Sequence, residues 1–299
     1  VSQRYRTPEA FRQALEQRLR TRAGDGLGFA RARQLLVFDR FLARVGETFG
    51  DAVTLKGGLV LEIRLARART TKDVDLRLTG SPSTVLARLQ AAGRIDLGDF
   101  MAFELLADAD HAVITSPGMR YHGQRFRAVC RLAGKVYGQS FGVDVGFGDP
   151  MFGTADVVAA DDVLGFAGLL PPTLRLYPVV THIAEKLHAY TLPRMHPNSR
   201  VKDLPDLALL ASIGELQLVD LRAACEQTFS FRGTHALPDH LPAPPDSWQR
   251  PYAAMARDDR LRWSTLAEVT AAARAVLDPM LRGDAAGTWQ PHDWQWQAR

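Results

Sequence analysis

Leu55-Lys56-Gly57-Gly58, then fourteen residues, then Asp73-Val74-Asp75-Leu76-Arg77-Leu78: this is the stretch whose reading decides the fold. The apolar run ending at Leu55 reads as a short strand closed by the glycine pair. Residues 59–67 carry helical spacing, and 73–78 alternate strictly, the pattern of a half-buried strand. On the N-terminal side, Thr7-Pro8-Glu9 reads as an N-cap, a proline in the first turn and an acid beside it. It predicts a helix to about Ala23, and a second helix is predicted over 28–45. Downstream come a capped helix over 81–92 and strands over 100–106, 112–115, 126–132 and 142–147. From about Asp161 the pattern turns helical: 179–190, 203–212, 218–229, and 265–281, where Thr265 and Glu268 form a capping box. The proline-rich stretch 237–251 reads as a loop. The expected class is α+β, with a mixed-sheet domain over 1–155 behind two leading helices and a mostly helical domain over 156–299.

Composition narrows the class. Of 299 residues, 46% are hydrophobic and 23% charged, which excludes global disorder and fibrous sequences. Cys130 and Cys225 are far apart, and no paired Cys/His spacing suggests structural zinc. No apolar run reaches the ~18–20 residues of a membrane span, and the first residues lack a signal-peptide core. A reduced, cytoplasmic protein without a membrane partner is expected. The formal charge of +4 averages two unlike parts. Residues 1–72 hold 15 basic against 7 acidic side chains, and the remainder holds 22 against 26.

The glycine pair and the two aspartates suggest chemistry together. Gly57 and Gly58 sit where a strand becomes a helix, a place where backbone N–H groups can receive phosphate. Asp73 and Asp75 are two apart on a strand, so both leave the same face. Two adjacent carboxylates repel unless a cation lies between them, and Mg²⁺ takes such carboxylates together with substrate phosphates. Singly, Gly-Gly is also a plain turn and Asp-x-Asp a solvated strand face. A third acid from a neighbouring strand would be Asp144, in Gly142-Val143-Asp144, with Asp149 as the other candidate.

A second group lies in the helical half. In His182-Ile183-Ala184-Glu185-Lys186-Leu187-His188, Lys186 flanks the apolar stripe. It is either a surface lysine with a covering stem or a point charge for a triphosphate. In Arg200-Val201-Lys202-Asp203-Leu204-Pro205-Asp206, Asp203 reads as an N-cap and Asp206 as a first-turn acid. The chain has five lysines against 32 arginines, and Lys56, Lys72, Lys186 and Lys202 all flank these motifs, leaving Lys135 apart. That clustering favours a role for compact ammonium groups.

Four segments together, Leu55–Gly58, Arg69–Asp75, Glu185–Thr191 and Asn198–Leu207, resemble the nucleotidyltransferase-fold toxins of the AbiEii/AbiGii family, in particular its MenT branch. The resemblance implies a nucleotidyltransferase-like N-terminal domain. It also implies Mg²⁺- and NTP-dependent transfer of a nucleoside monophosphate, pyrimidine preferred, to the 3′ end of tRNA, which blocks aminoacylation and translation. A cognate antitoxin is the implied partner. Carried over by position, Asp73, Lys186 and Asp206 are the catalytic residues, and Lys56, Gly57, Gly58 and Arg232 bind nucleotide. Asp73, Asp75 and Asp144 hold the metal, and Thr71, beside Thr70, is the phosphorylation position that would act as an off switch. Two other readings stay open: a nucleotidyltransferase acting on a protein or small molecule, and a non-catalytic RNA- or antitoxin-binding module. The basic N-terminal helices, with Arg18, Arg20, Arg22, Arg31 and Arg33, are expected either to track RNA backbone or simply to face solvent.

Overall fold

A computed structural model describes residues 5–23, 28–65, 68–109, 112–114, 123–194, 200–284 and 286–298. The expected ends at Ala66-Arg67, the break at Gly24-Asp25-Gly26, Thr115, and Asn198-Ser199 lie outside the described residues.

The first half begins with α1 (Pro8–Ala23) and α2 (Phe29–Phe49), followed by β1 (Val53–Lys56), α3 (Gly58–Arg64), β2 (Asp73–Leu78) and α4 (Val85–Gly93). The strands β3 (Met101–Ala107), β4 (Val113–Ile114), β5 (Gly123–Leu132), β6 (Lys135–Val136), β7 (Phe141–Phe147), β8 (Asp156–Ala159) and β9 (Thr173–Leu176) complete it. Then come α5 (Val179–Thr191), α6 (Asp203–Ala211), β10 (Leu216–Gln217), α7 (Leu218–Arg232), α8 (Gln249–Asp258) and α9 (Leu266–Arg282). The chain closes with β11 (Thr288–Gln290) and β12 (Gln295–Gln297). No helix among the described residues is long and apolar enough to cross a membrane.

The large sheet runs β3-β5-β7-β2-β1-β9-β8, with β4 and β6 paired to β5. β2 is antiparallel to β1 and parallel to β7, in a register that sets Lys56 beside Asp75, Asp75 beside Asp144, and Asp73 beside Gly142. Strand alternation sorts the side chains. Val74, Leu76, Val143, Val145, Phe126, Ala128, Phe103 and Leu105 are buried on one face. α2 lies on that face, with Phe38 and Phe41 ringed edge-on against Phe141 at 5.1 and 5.4 Å between ring centres. Asp73, Asp75, Asp144, Arg125 and Arg127 alternate with these residues and stand on the opposite face.

Among the described residues two apolar clusters form. One extends from Phe11 to Leu176 and joins α1, α2 and α4 to the sheet. The other joins Leu61 of α3 to α5–α9 and Trp289. β8 and β9 belong to the large sheet and lie beyond the division expected at residue 155, so the packing changes hands near Tyr177. Two features depart from the sequence reading. α8 begins inside the proline-rich stretch, with Pro251 in its first turn, where the missing N–H costs nothing. Asp203 does not cap α6: Lys202 occupies the cap position, and Asp203 is the buried first residue of the helix. The Thr265–Glu268 capping box is present.

Candidate active site

Between the open face of the sheet and α5–α6 lies a cleft of about 710 Å³. Its lining includes Lys56, Gly57, Gly58, Thr71, Asp73, Asp75, Asp144, Lys186 and Arg232, so segments up to 176 residues apart in sequence meet there.

The two glycines are needed for a reason other than phosphate approach. Gly57 has φ +74°, and a Cβ there would lie 1.9 Å from Asp75 Oδ2. At Gly58 a Cβ would meet Arg69 at 2.9 Å and Thr71 Oγ1 at 3.1 Å. At Gly142, one strand over, a Cβ would be 2.6 Å from Asp73 Oδ1. The two aspartates therefore leave one face but splay apart, Asp75 lying over the β1–α3 turn and Asp73 over β7.

Burial raises the Asp75 carboxyl to about 6, with the charges of Asp144 and Asp73 adding to it against Lys56 and Lys186. Asp144 is clamped by Arg125, whose Nε and Nη2 donate to its two oxygens at 2.7 and 2.6 Å. Among the described residues no three His, Cys, Asp or Glu side chains are grouped closely enough to hold a metal alone. The donors nevertheless suit a hard cation. They are carboxylate oxygens, of which Asp144 is paired with Arg125 while Asp73 and Asp75 have no ion-pair partner among the described residues, and Mg²⁺ commonly takes one or two carboxylates and fills its remaining positions with phosphate and water.

Two ion-pair groups flank the carboxylates. Lys186 Nζ donates to Asp203 Oδ1 at 2.8 Å and pairs with Asp206 Oδ2 at 2.7 Å. Arg69 closes the far side of Asp206 with two bonds of 2.7 and 2.9 Å. Burial alone would raise the Asp206 carboxyl, but Lys186 and Arg69 outweigh it and hold it far below the usual range. Asp206 is thus a permanent anion that fixes two cations. In the second group, Lys56 Nζ contacts Asp149 at 2.8 Å and Glu185 at 3.2 Å. Arg232 reaches the other oxygen of Asp149 at 2.8 Å, and Tyr177 OH donates to Glu185 at 3.0 Å. Asp149, the alternative third acid, is held between two cations.

His182 is buried on the cleft floor, and neither ring nitrogen has a hydrogen-bond partner among the described residues. Burial, reinforced by Lys186, lowers it to about 3, so it is neutral. Thr71 is also buried; its N–H donates to Glu62 and its carbonyl accepts from Arg31, while Thr70 is exposed.

The structure brings together Lys56, Gly57, Gly58, Asp73, Asp75, Asp144, Lys186, Asp206 and Arg232. It adds Arg69 and Glu185, which sequence reading left without a role, and Asp203, which it read as an N-cap. Their signal was contained in the motifs, but their partners are 137, 129 and 17 residues away in sequence. The basic N-terminal helix α1 lies elsewhere. It covers the buried face of the sheet, with Arg18 over Phe166 and Arg22 bonded to Asp162. Arg20 pairs with Glu16, Arg33 stacks on Phe29, and Arg31 pairs with Glu62.

The family described as nucleotidyl transferase AbiEii toxin, type IV TA system, matches residues 40–285. Among solved structures, the nucleotidyltransferase toxin MenT4 of Mycobacterium tuberculosis is similar, with 19% identity and a TM-score of 0.50 over 72% of this chain and 68% of that one. JHP933 of Helicobacter pylori aligns with 15% identity and a TM-score of 0.46 over 87% of this chain and 94% of its own. No curated protein matches the sequence.

Proposed function

The chain belongs to the AbiEii nucleotidyltransferase toxin family, and from that premise we propose that it transfers a nucleoside monophosphate from an NTP, pyrimidine preferred, to the 3′ end of tRNA. The transfer would block aminoacylation and halt translation in the cytoplasm, and a cognate antitoxin would restrain it. The observation that carries the reading is the splayed pair Asp73 and Asp75, standing on one strand face between two fixed cation groups.

Each residue has a definite task. Asp73 and Asp75, with Asp144 beside them, would hold Mg²⁺, whose chemistry here is to neutralise phosphate charge and to set the reacting groups in line. Lys186 and Arg69, fixed by Asp206, present positive charge to the triphosphate without reorganising during the reaction. Lys56 and Arg232, fixed by Asp149, do the same from the other side. Asp206 acts through the cations it holds and has no proton to give at neutral pH. Phosphorylation of Thr71 would put the new group on the cleft lining, on a loop held through the Thr71 backbone by Glu62 and Arg31. A modified chain would then carry about −1.5 to −2 charge next to Asp73.

The test is incubation with each α-labelled NTP in the presence of total RNA or of RNase-treated lysate. Label is expected in tRNA. Label in protein or in small molecules would reassign the acceptor.

A further inference from the structure

In-line displacement at phosphorus requires the attacking oxygen and the leaving oxygen on opposite sides of the α-phosphate. Because Asp75 leans over Gly57 and Asp73 over Gly142, the two sides are distinguishable here. On the Asp75 side stand Lys56 and Lys186, suited to the charge gathering on a leaving pyrophosphate. On the Asp73 side the register runs from Asp73 to Gly142, then Arg127, then Leu106. Gly142 has no side chain to obstruct the path. Arg127 is exposed and donates to Ser140 Oγ at 3.1 Å, and among the described residues no carboxylate pairs with it. Leu106, on the edge strand β3 at the end of the row, is 68% exposed and presents an apolar surface beside Arg127. The neighbouring Arg131 is paired with Glu104, and Arg125 with Asp144.

We propose that the acceptor strand reaches Asp73 across this row, with Arg127 on a backbone phosphate and Leu106 beneath a base upstream of the 3′-terminal nucleotide. The inference rests on the nucleotidyl-transfer reading and gives that reaction a direction. The 3′-oxygen bonds to the α-phosphorus from the β7 side as the α–β bridging bond breaks. Pyrophosphate departs with that electron pair toward Lys56 and Lys186. The hydroxyl proton leaves to the solvent that exposed Asp73 faces. The arrangement also moves the RNA contact away from α1, whose arginines lie behind the opposite face of the sheet.

The experiment measures binding of a 5′-labelled single-stranded RNA oligonucleotide over a salt series. It compares the wild type, Arg127→Ala, Arg127→Lys, Leu106→Ser and the triple variant Arg18→Ala/Arg20→Ala/Arg22→Ala. Losing one phosphate contact lowers the slope of log K against log salt by about 0.7 on a single strand. That drop is expected in Arg127→Ala and should be restored in Arg127→Lys. Leu106→Ser should weaken binding with the slope unchanged, and the α1 triple should match wild type. NTP affinity should be the same in all. An unchanged slope in Arg127→Ala, a loss in the α1 triple, or absence of RNA binding by the wild type overturns the proposal. So does a surface that binds polyglutamate through Arg127 in place of RNA, which would mark it as a site for an acidic protein. A wild type that binds the oligonucleotide but extends it with no NTP refutes the transfer reading, while the Arg127 comparison still decides the surface.

Discussion

Gly142→Ala isolates the placement of Asp73 from its chemistry. The new methyl carbon would sit 2.6 Å from Asp73 Oδ1, and an ordinary contact begins at 3.4 Å, so the carboxylate must retreat by about 0.8 Å. Gly142 has no positive φ, and its neighbour is the exposed end of a side chain, so the fold bears little strain. Stability is expected to change by less than about 0.5 kcal/mol, the usual range for a surface change. Activity is a different matter, because misplacing a reacting group by about 1 Å costs on the order of 100-fold. The assay pairs thermal unfolding with single-turnover transfer at saturating NTP. A variant as stable as wild type but slower by about 100-fold is the expected result. Activity within threefold of wild type, with the fold intact, would refute the claim that Asp73 must lie over Gly142. Gly57→Ala is a harsher companion. Its clash with Asp75 is closer, and the positive-φ extended backbone, which favours glycine, adds a penalty of about 1–3 kcal/mol.

Three further predictions concern the charges. Asp206→Asn strips the anion shared by two buried cations and should destabilise the chain by about 3–5 kcal/mol in denaturant titration. Since Asp206 is held below its unfolded value, its contribution is complete above about pH 4 and is lost as the pH falls below that, so the variant should show a flatter acid limb of stability against pH. Asp75 has the opposite sign: it is raised to about 6 by burial, so its ionisation costs stability above that pH and nothing below about 4. Asp75→Asn should therefore stabilise the metal-free protein by up to about 3 kcal/mol at pH 7.5 and leave it unchanged at pH 4. Added Mg²⁺ should raise the melting temperature of the wild type at pH 7.5 but not that of Asp73→Asn/Asp75→Asn; equal shifts in both would remove these residues from the metal site.

Much of the fold could be read from local pattern. Strict alternation over 73–78 gave β2, and the capped starts at Pro8 and Thr265 gave α1 and α9, because these elements are amphipathic in their own right. β8 and β9 escaped because, unlike the equally short β1, they have no glycine pair marking an end and take strand form by pairing with each other. α8 escaped because Pro251 reads as a stop from sequence and is tolerated in a first turn. In the site, residue types and strand faces were legible, but charge balance was not. Asp203 looks like a cap until Lys186, on another helix, is seen to take its oxygen. Arg69 looks like one arginine among 32 until Asp206 receives it. The basic N-terminal segment shows the same limit, because sequence counts charge without telling which face of the sheet it covers.

The most direct test of the central claim is sequencing of tRNA 3′ ends after incubation with purified protein, Mg²⁺ and each NTP in turn, with Asp73→Ala in parallel. Untemplated nucleotides on tRNA with the wild type, and none with Asp73→Ala, are the predicted result. Unextended ends under all four NTPs, or equal extension by Asp73→Ala, would contradict it.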